Sequence, residues 1–413
     1  MLAFRRGQAQ RLVEMYILLT SLAQILVLDI TGLNKILSLG PVNVQVADIT
    51  LPAIPLMIAF YVRDRLAPTV PVLILLGLYA FSLVRGIAAD APAALTDFRY
   101  DIHMLALLAI VTTGGVDRMG YRTVARILNL AALIVCAVSA LRFAYGPNFM
   151  IDLSNVDVTT ADDWNDGRTV SGPSIIILAT AIIFNVCAKT RDGSHRLGIG
   201  PLSILFLVFV VISGQRTASI GLVLAIGLML FNRVRAMLVV PMICAPIAIF
   251  LIVTGWLPID TGAVENVGQD LGGRDGTFAF RTHIWGAFLD HFATWQPLNQ
   301  LLGQPIGTPV EFYMLERVWT SSLHSAYLGL VPQIGIVGAL IFFASLLPYI
   351  FRTIWDFVVG ASYETSLSPE LRVYAMLITL VYGISYEWRT IFGLLLGALL
   401  APRLLPKRSV ERD

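Results

Sequence analysis

Residues 255–322, which begin GWLPIDTGAVENVGQDLGGRDG and end RVWTSS, form the one long polar stretch of an otherwise apolar sequence. Hydrophobic residues make up 57% of the chain and charged residues only 14%, whereas soluble domains carry roughly a quarter charged residues. The mean hydropathy over the 413 residues is +0.77. This composition indicates a polytopic membrane protein and not a large soluble core. The polar stretch is therefore expected to be a large loop outside the bilayer.

Apolar runs of about 20 residues, the length that a helix needs to cross a bilayer, predict an all-α fold. We expect one integral membrane domain, residues 1–413, with about twelve membrane-spanning helices. The N-terminal run follows basic residues but has no small-residue cleavage site, so it is expected to be the first span and not a removed signal. The predicted spans are 12–30, 46–62, 69–88, 100–116, 124–145, 171–189, 199–214, 216–232, 236–254, 323–347, 370–386 and 389–405.

The positions of Lys and Arg predict the orientation, because these residues favour the cytoplasmic side of a membrane. They cluster before the first span, in alternate connections and in the tail, whereas the intervening connections are acidic or neutral. With twelve spans, the basic connections share one side and both termini are cytoplasmic. A smaller loop at 146–170 and the large loop at 255–322 are then extracytoplasmic, and the large loop is expected to cap a site.

Several classes of function are disfavoured by composition. The net charge of +2 gives no reason to expect nucleic-acid binding. The three cysteines lie in apolar runs without metal-ligand spacing. His283 and His291 have no carboxylate at ligand spacing, so neither a metal site nor a cofactor is expected. The two halves show no convincing repeat, which weakens a transporter interpretation.

Outward-facing arginines are the first candidates for chemistry, because positive charge is disfavoured on that side. Arg216 lies in SGQRTAS (213–219). The backbone N–H groups of a helix that starts here could bind an anion. Alternatively, the side chain of Arg216 could extend to the membrane–water interface. Arg168 could bind phosphate or pair with a neighbouring aspartate. Arg281 lies four residues before Trp285, a spacing that on a helix places the two side chains on one face. They could form a structural cation–π contact or a surface for a phosphate and a sugar ring.

His324 is the most suggestive of the histidines. It lies at the outer mouth of the span that continues SAYLGL (325–330). A neutral imidazole there could take a proton from an attacking hydroxyl. Taken alone, a histidine in such a position is more often an interfacial anchor than a base.

These stretches together resemble the O-antigen ligase and polysaccharide polymerase superfamily. The similarity covers most of residues 160–345. Two departures from the family pattern are Ser325, where Asn is common, and Gln333, where an acidic residue is frequent. The matching stretches are RTVSGP (168–173), SGQRT (213–217), RTHIW (281–285) after Phe280 where Gly is usual, GQPIG (303–307), and HSAYL (324–328) with its later glycines Gly335 and Gly338.

The resemblance implies a metal-independent membrane glycosyltransferase at the outer face of a bacterial inner membrane. Its donor would be an undecaprenyl diphosphate-linked oligosaccharide. Its acceptor would be another glycan, as in an exopolysaccharide or O-antigen polymerase, or lipid A–core, as in a ligase. In this scheme Arg216, Arg281 and Arg168 bind the diphosphate, Trp285 binds sugar, and His324 is the catalytic base. The rival interpretations are a transporter of lipid-linked sugars and a non-catalytic scaffold in polysaccharide export.

Overall fold

The computed structural model describes the central part of most predicted helices and much of the large polar stretch. Statements about structure below refer to these residues alone. The described residues are 8–9, 11–20, 22–23, 35–39, 42–45, 48–49, 55, 66–91, 93–112, 121–146, 172–187, 200–213, 216–230, 277–314, 317–320, 323, 325–359, 369–385, 393 and 395.

The described chain is mostly helical, as predicted. Residues 11–20 are helical and overlap the predicted span 12–30. The longer helices agree with the predicted spans to within a few residues at most ends, because the apolar runs set their lengths. The helices are α1 (Leu66–Ala88), α2 (Ala94–Thr112), α3 (Tyr121–Tyr145), α4 (Gly172–Val186), α5 (Pro201–Ile212), α6 (Arg216–Leu230), α7 (Thr277–Ala293), α8 (Pro297–Leu302), α9 (Ala326–Val358) and α10 (Pro369–Ser385).

Two short antiparallel hairpins correct the all-α prediction. The first pairs β1 (Lys35–Leu39) with β2 (Val42–Gln45), and the second pairs β3 (Glu311–Met314) with β4 (Arg317–Thr320). Strands of four or five residues are too short to show a clear alternation of apolar and polar positions. The second hairpin lies within 255–322 together with α7 and α8, so the described part of that polar stretch has regular structure.

The helices have the length and composition of a membrane protein. Among the described residues, Val70–Ala88, Arg122–Tyr145 and Ala326–Val358 are long and apolar enough to cross a membrane, with mean hydropathies of 2.0, 2.2 and 2.3. Shorter apolar helices cover Gly172–Val186, Pro201–Ile212 and Ser219–Met229. The predicted spans 46–62, 236–254 and 389–405 lie mostly outside the described residues, so the total of twelve stays a prediction.

Two helices occupy the middle of the bundle. Nearly all side chains of α4 are buried, and it packs against α3, α5, α6 and α10. Residues 371–379 of α10 are buried as well, and α10 also packs against α6 and α9. A helix that is apolar on every side is typical of such a central position. Helices outside this pair expose apolar side chains, such as Val84 and Leu340.

Helix α9 is broken near its start. Its 33 residues would extend about 50 Å, which exceeds the roughly 30 Å of a hydrocarbon core. Gly335 interrupts the helix with φ 66° and ψ −174°. The segment after α8 enters this break: the backbone N–H of Gln304 donates to the carbonyl of Pro332 at 2.7 Å. A Cβ on Gly303 would lie 2.6 Å from the carbonyl carbon of Gln333.

We predict that Gly335→Ala destabilises the folded protein by about 1–3 kcal/mol. A side chain is strained at this positive φ and would collide with the backbone of Leu301 and Gly303. The measurement is the midpoint of thermal unfolding in detergent. Gly77→Ala is the control, because Gly77 lies inside α1 with nothing within 4 Å of an added Cβ. Equal midpoints for the two variants would contradict the prediction.

Candidate functional site

Helix α7 carries two of the predicted site residues. Arg281 and Trp285 lie one helical turn apart, because a spacing of four residues places both on the same face. Arg281 is half-buried, and Trp285 is only 6% exposed. The structure thus places Arg281 and Trp285 on one helix face, as their spacing predicted. That the guanidinium stacks on the indole stays a prediction.

The indole of Trp285 joins α7 to the start of α9. Its Nε1–H donates to the carbonyl oxygen of Leu323 at 2.7 Å. Leu323 and Trp285 belong to a small buried cluster with Ile284, Phe288 and Trp295. Leu323 directly precedes His324 in the sequence. The hydrogen bond therefore connects α7, which contains Arg281, with the segment that contains His324.

Ser325 is the N-cap of α9. Its backbone is extended (φ −144°, ψ 126°), and its hydroxyl oxygen accepts a hydrogen bond from the N–H of Leu328 at 3.5 Å. Ser and Asn are both strong N-cap residues. An Asn at this position could therefore cap the helix as well. His324 precedes this cap and lies outside the described residues.

The end of α10 contacts the segments around His324 and Arg281. The hydroxyl of Tyr327, three residues after His324, donates to the carbonyl of Leu380 at 2.7 Å. Ile384, one turn further along α10, packs on the cluster that contains Trp285. Both contacts lie in residues 378–384, which we call the 378–384 segment.

The same segment contacts the starts of α4 and α6. A Cβ on Gly172 would lie 2.5 Å from the hydroxyl oxygen of Tyr382. A Cβ on Gly221 would lie 3.4 Å from the Cα of Ile378. The absence of side chains at the two glycines thus lets both helices approach α10 closely.

The 378–384 segment consequently neighbours residues that are close in sequence to four of the predicted site residues. Gly172, Gly221, Tyr327 and the cluster member Trp285 each lie within five residues of one predicted site residue along the chain. Gly172 follows Arg168, Gly221 follows Arg216, Trp285 follows Arg281, and Tyr327 follows His324.

The side chains of the predicted site are described only in part. Arg168 and His324 lie outside the described residues, and Arg216 is described only as the first residue of α6. Trp285 uses its N–H inside the protein, so its described role is to hold α7 in place. Sugar binding by Trp285 stays a prediction.

Arg85, which the sequence analysis did not single out, anchors this region to α1. Its Nη1–H donates to the carbonyl of Gly303 at 2.9 Å, and its Nη2–H donates to Oδ1 of Asn299 at 2.5 Å. The amide of Gln300 donates to the carbonyl of Phe292 at 3.1 Å and so ties α8 to α7. An arginine at the predicted outer end of a span is itself a signal, because it opposes the positive-inside pattern.

Among the described residues, no group of three or more His, Cys, Asp and Glu side chains could hold a metal ion. No family model matches this chain, and no curated protein matches it either.

We predict that Trp285→Phe destabilises the protein by about 1–3 kcal/mol, because it leaves the carbonyl of Leu323 without its indole donor. Trp295→Phe removes the same volume from the same cluster. The Trp295 Nε1–H has no hydrogen-bond partner among the described residues, so only the volume effect is expected there. Thermal unfolding in detergent compares the two variants. If Trp295→Phe were as destabilising as Trp285→Phe, the hydrogen bond would not be the stabilising feature.

Proposed function

We propose that this protein is a metal-independent membrane glycosyltransferase of the O-antigen ligase and polysaccharide polymerase type. It transfers an oligosaccharide from undecaprenyl diphosphate to an acceptor hydroxyl. The observation that supports the proposal is that residues close in sequence to four predicted site residues neighbour the 378–384 segment. Arg168 and His324 are 156 residues apart in sequence, and a common neighbour of the residues beside them is what one active site would require.

The chemistry of the reaction explains why these residue types are needed. The acceptor oxygen attacks the anomeric carbon, the bond from that carbon to the phosphate oxygen breaks, and the diphosphate leaves with the electron pair. Arg216, Arg281 and Arg168 stabilise the negative charge that develops on the leaving group. Arginine suits this role because its planar guanidinium binds two phosphate oxygens and stays protonated. The imidazole of His324 takes the proton of the acceptor hydroxyl.

The contacts between α1 and the polar stretch support the proposed sidedness. The hydroxyl of Ser82 donates to the carbonyl of Gln304 at 3.1 Å, and the N–H of Ile306 donates to the carbonyl of Ser82 at 3.3 Å. The end of α1 and the stretch 303–307 are therefore on one side of the bundle. We assign this side to the outer face of a bacterial inner membrane and both termini to the cytoplasm, because the connection after α1 is acidic.

A transporter of lipid-linked sugars is the second candidate. It is favoured by the ion pair between Arg99 and Asp48, with Nε and Oδ1 2.8 Å apart, and by the buried residues Asp101 and His103 on α2. Buried ionisable groups are typical of transport pathways in membrane proteins. Movement of a lipid-linked sugar across proteoliposomes without formation of a longer glycan would favour this candidate over the enzyme.

We predict that His324→Ala lowers transfer by about a hundred-fold or more, because a positioned base contributes about 10²–10⁴ in rate. The folded protein should still bind the donor. A cell-free assay that offers either a second lipid-linked repeat or lipid A–core measures transfer and also separates a polymerase from a ligase. His283→Ala is the control, since His283 is exposed on α7. Wild-type transfer by His324→Ala would exclude the proposed base.

We predict that Arg216→Lys also lowers transfer strongly, because a point charge replaces a guanidinium that binds two phosphate oxygens. The same assay measures it, together with the apparent affinity for the donor. Arg122→Lys is the matched control at an exposed position of α3. Unchanged affinity and rate in Arg216→Lys would remove this arginine from the diphosphate site.

A further inference from the structure

Arg85 lies near one end of a candidate membrane span. The span Val70–Ala88 has 19 residues, which would extend about 28 Å, close to the roughly 30 Å of a hydrocarbon core. Ala88 is therefore expected at the edge of that core. Arg85 precedes Ala88 by three residues, or about 4.5 Å along the helix. The headgroup layer, which contains the phosphate groups of membrane lipids, begins directly outside this edge.

Arg85 lies between the exposed side and the buried side of α1. Phe81 and Val84 are 46% and 65% exposed, as expected for side chains that face lipid in a membrane span. Ser82 and Gly86 are buried, and the hydroxyl of Ser82 donates to the polar stretch. With 3.6 residues per turn, Arg85 leaves the helix between these two sides, and its side chain is half-buried. A lipid headgroup can therefore approach the guanidinium from the lipid side.

The guanidinium of Arg85 is held by neutral partners. Its two hydrogen bonds go to the carbonyl of Gly303 and to Oδ1 of Asn299, and its Cζ lies 5.7 Å from the ring centroid of Phe81, which is within cation–π range. A snorkelling arginine would instead extend to water. Neither a carbonyl oxygen nor an amide oxygen has a full negative charge, so these hydrogen bonds do not neutralise the cation.

These contacts prepare the guanidinium for an anion. A guanidinium has five N–H donors, and the bonds to Gly303 and Asn299 use two of them. N–H groups that remain can form charge-assisted hydrogen bonds with phosphate oxygens, which are stronger than hydrogen bonds between neutral groups. Because the side chain is already held in one place, it loses little conformational entropy when a phosphate binds.

We propose that Arg85 binds the phosphate group of a membrane lipid, in a site that Asn299 and Gly303 hold in place. The inference does not depend on the proposed function, because a phospholipid of the bilayer and a polyprenyl phosphate carry the same group. Asn299 and Gly303 belong to the polar stretch, so the bound lipid would lie where this stretch is attached to α1.

The test measures dissociation constants of lipids for the full-length protein by native mass spectrometry. The probes are phosphatidylglycerol and undecaprenyl phosphate, compared with diacylglycerol and undecaprenol, which lack the phosphate. We expect Arg85→Gln to weaken binding of at least one phosphate lipid by about ten-fold or more, because hydrogen bonds to a charged group are lost. Binding of the two lipids without phosphate should not change. The phosphate lipid that loses affinity identifies the source of the phosphate.

Arg126→Gln is the matched control. Arg126 lies four residues inside the candidate span Arg122–Tyr145 and is exposed, so it is also an arginine near the end of a span. Its lipid affinities should equal those of the wild type. An equal loss in Arg85→Gln and Arg126→Gln would overturn the inference, since any arginine near the membrane surface would then have the same effect.

Asn299→Asp neutralises the cation without removing its hydrogen bond. A carboxylate at this position can accept the same N–H, so we expect an unchanged midpoint of thermal unfolding but weaker binding of the phosphate lipid. Gln296→Glu adds the same charge at the exposed residue before α8 and should bind lipid as the wild type does. If Arg85→Gln does not fold, Asn299→Asp decides. Unchanged binding of both phosphate lipids by either variant, Arg85→Gln or Asn299→Asp, in its folded form would overturn the inference.

Discussion

The hydrogen bond from the indole of Trp285 to the carbonyl of Leu323 is the interaction on which the proposed site depends. It fixes α7, part of the polar stretch, against the entry of α9. The bond lies inside an apolar cluster, where a polar contact is stronger than in water and its loss is costly. Tyr327 then attaches the first turn of α9 to α10. These two hydrogen bonds link α7, which contains Arg281, to the segment of His324 and to α10.

The broken helix α9 holds the polar stretch from the other side. Gly303 and Gly335 lie in two motifs that are separate in sequence, and each lacks the side chain that would prevent their backbones from approaching. Arg85 fastens the same stretch to α1. The polar stretch is therefore held by three helices: by α1 and α9 directly, and by α10 through the cluster that contains Trp285. Such rigid support is what an active site requires to keep charged side chains in place before the reaction.

Much of the fold could be predicted, because the length of an apolar run limits where a helix can begin and end. The predicted spans at 69–88, 124–145 and 370–386 agree closely with α1, α3 and α10. The hairpins and the helices α7 and α8 were not predicted, because short strands and weakly amphipathic helices leave little pattern in a polar segment. Arg85 was missed for a different reason. Its position at the predicted outer end of a span opposes the positive-inside pattern, but a single arginine in an apolar helix does not show in the sequence which segment it contacts.

Hydropathy and residue type are local properties, so the amino-acid order was enough to predict a mostly helical membrane protein and to select the arginines and the histidine as candidates. Which of these segments are neighbours became apparent in the folded chain alone. Contacts between Gly172 and Tyr382, or between Tyr327 and Leu380, join residues far apart in the chain. They arise from the packing of whole helices, which depends on side-chain shape over many residues at once and leaves no short motif in the sequence.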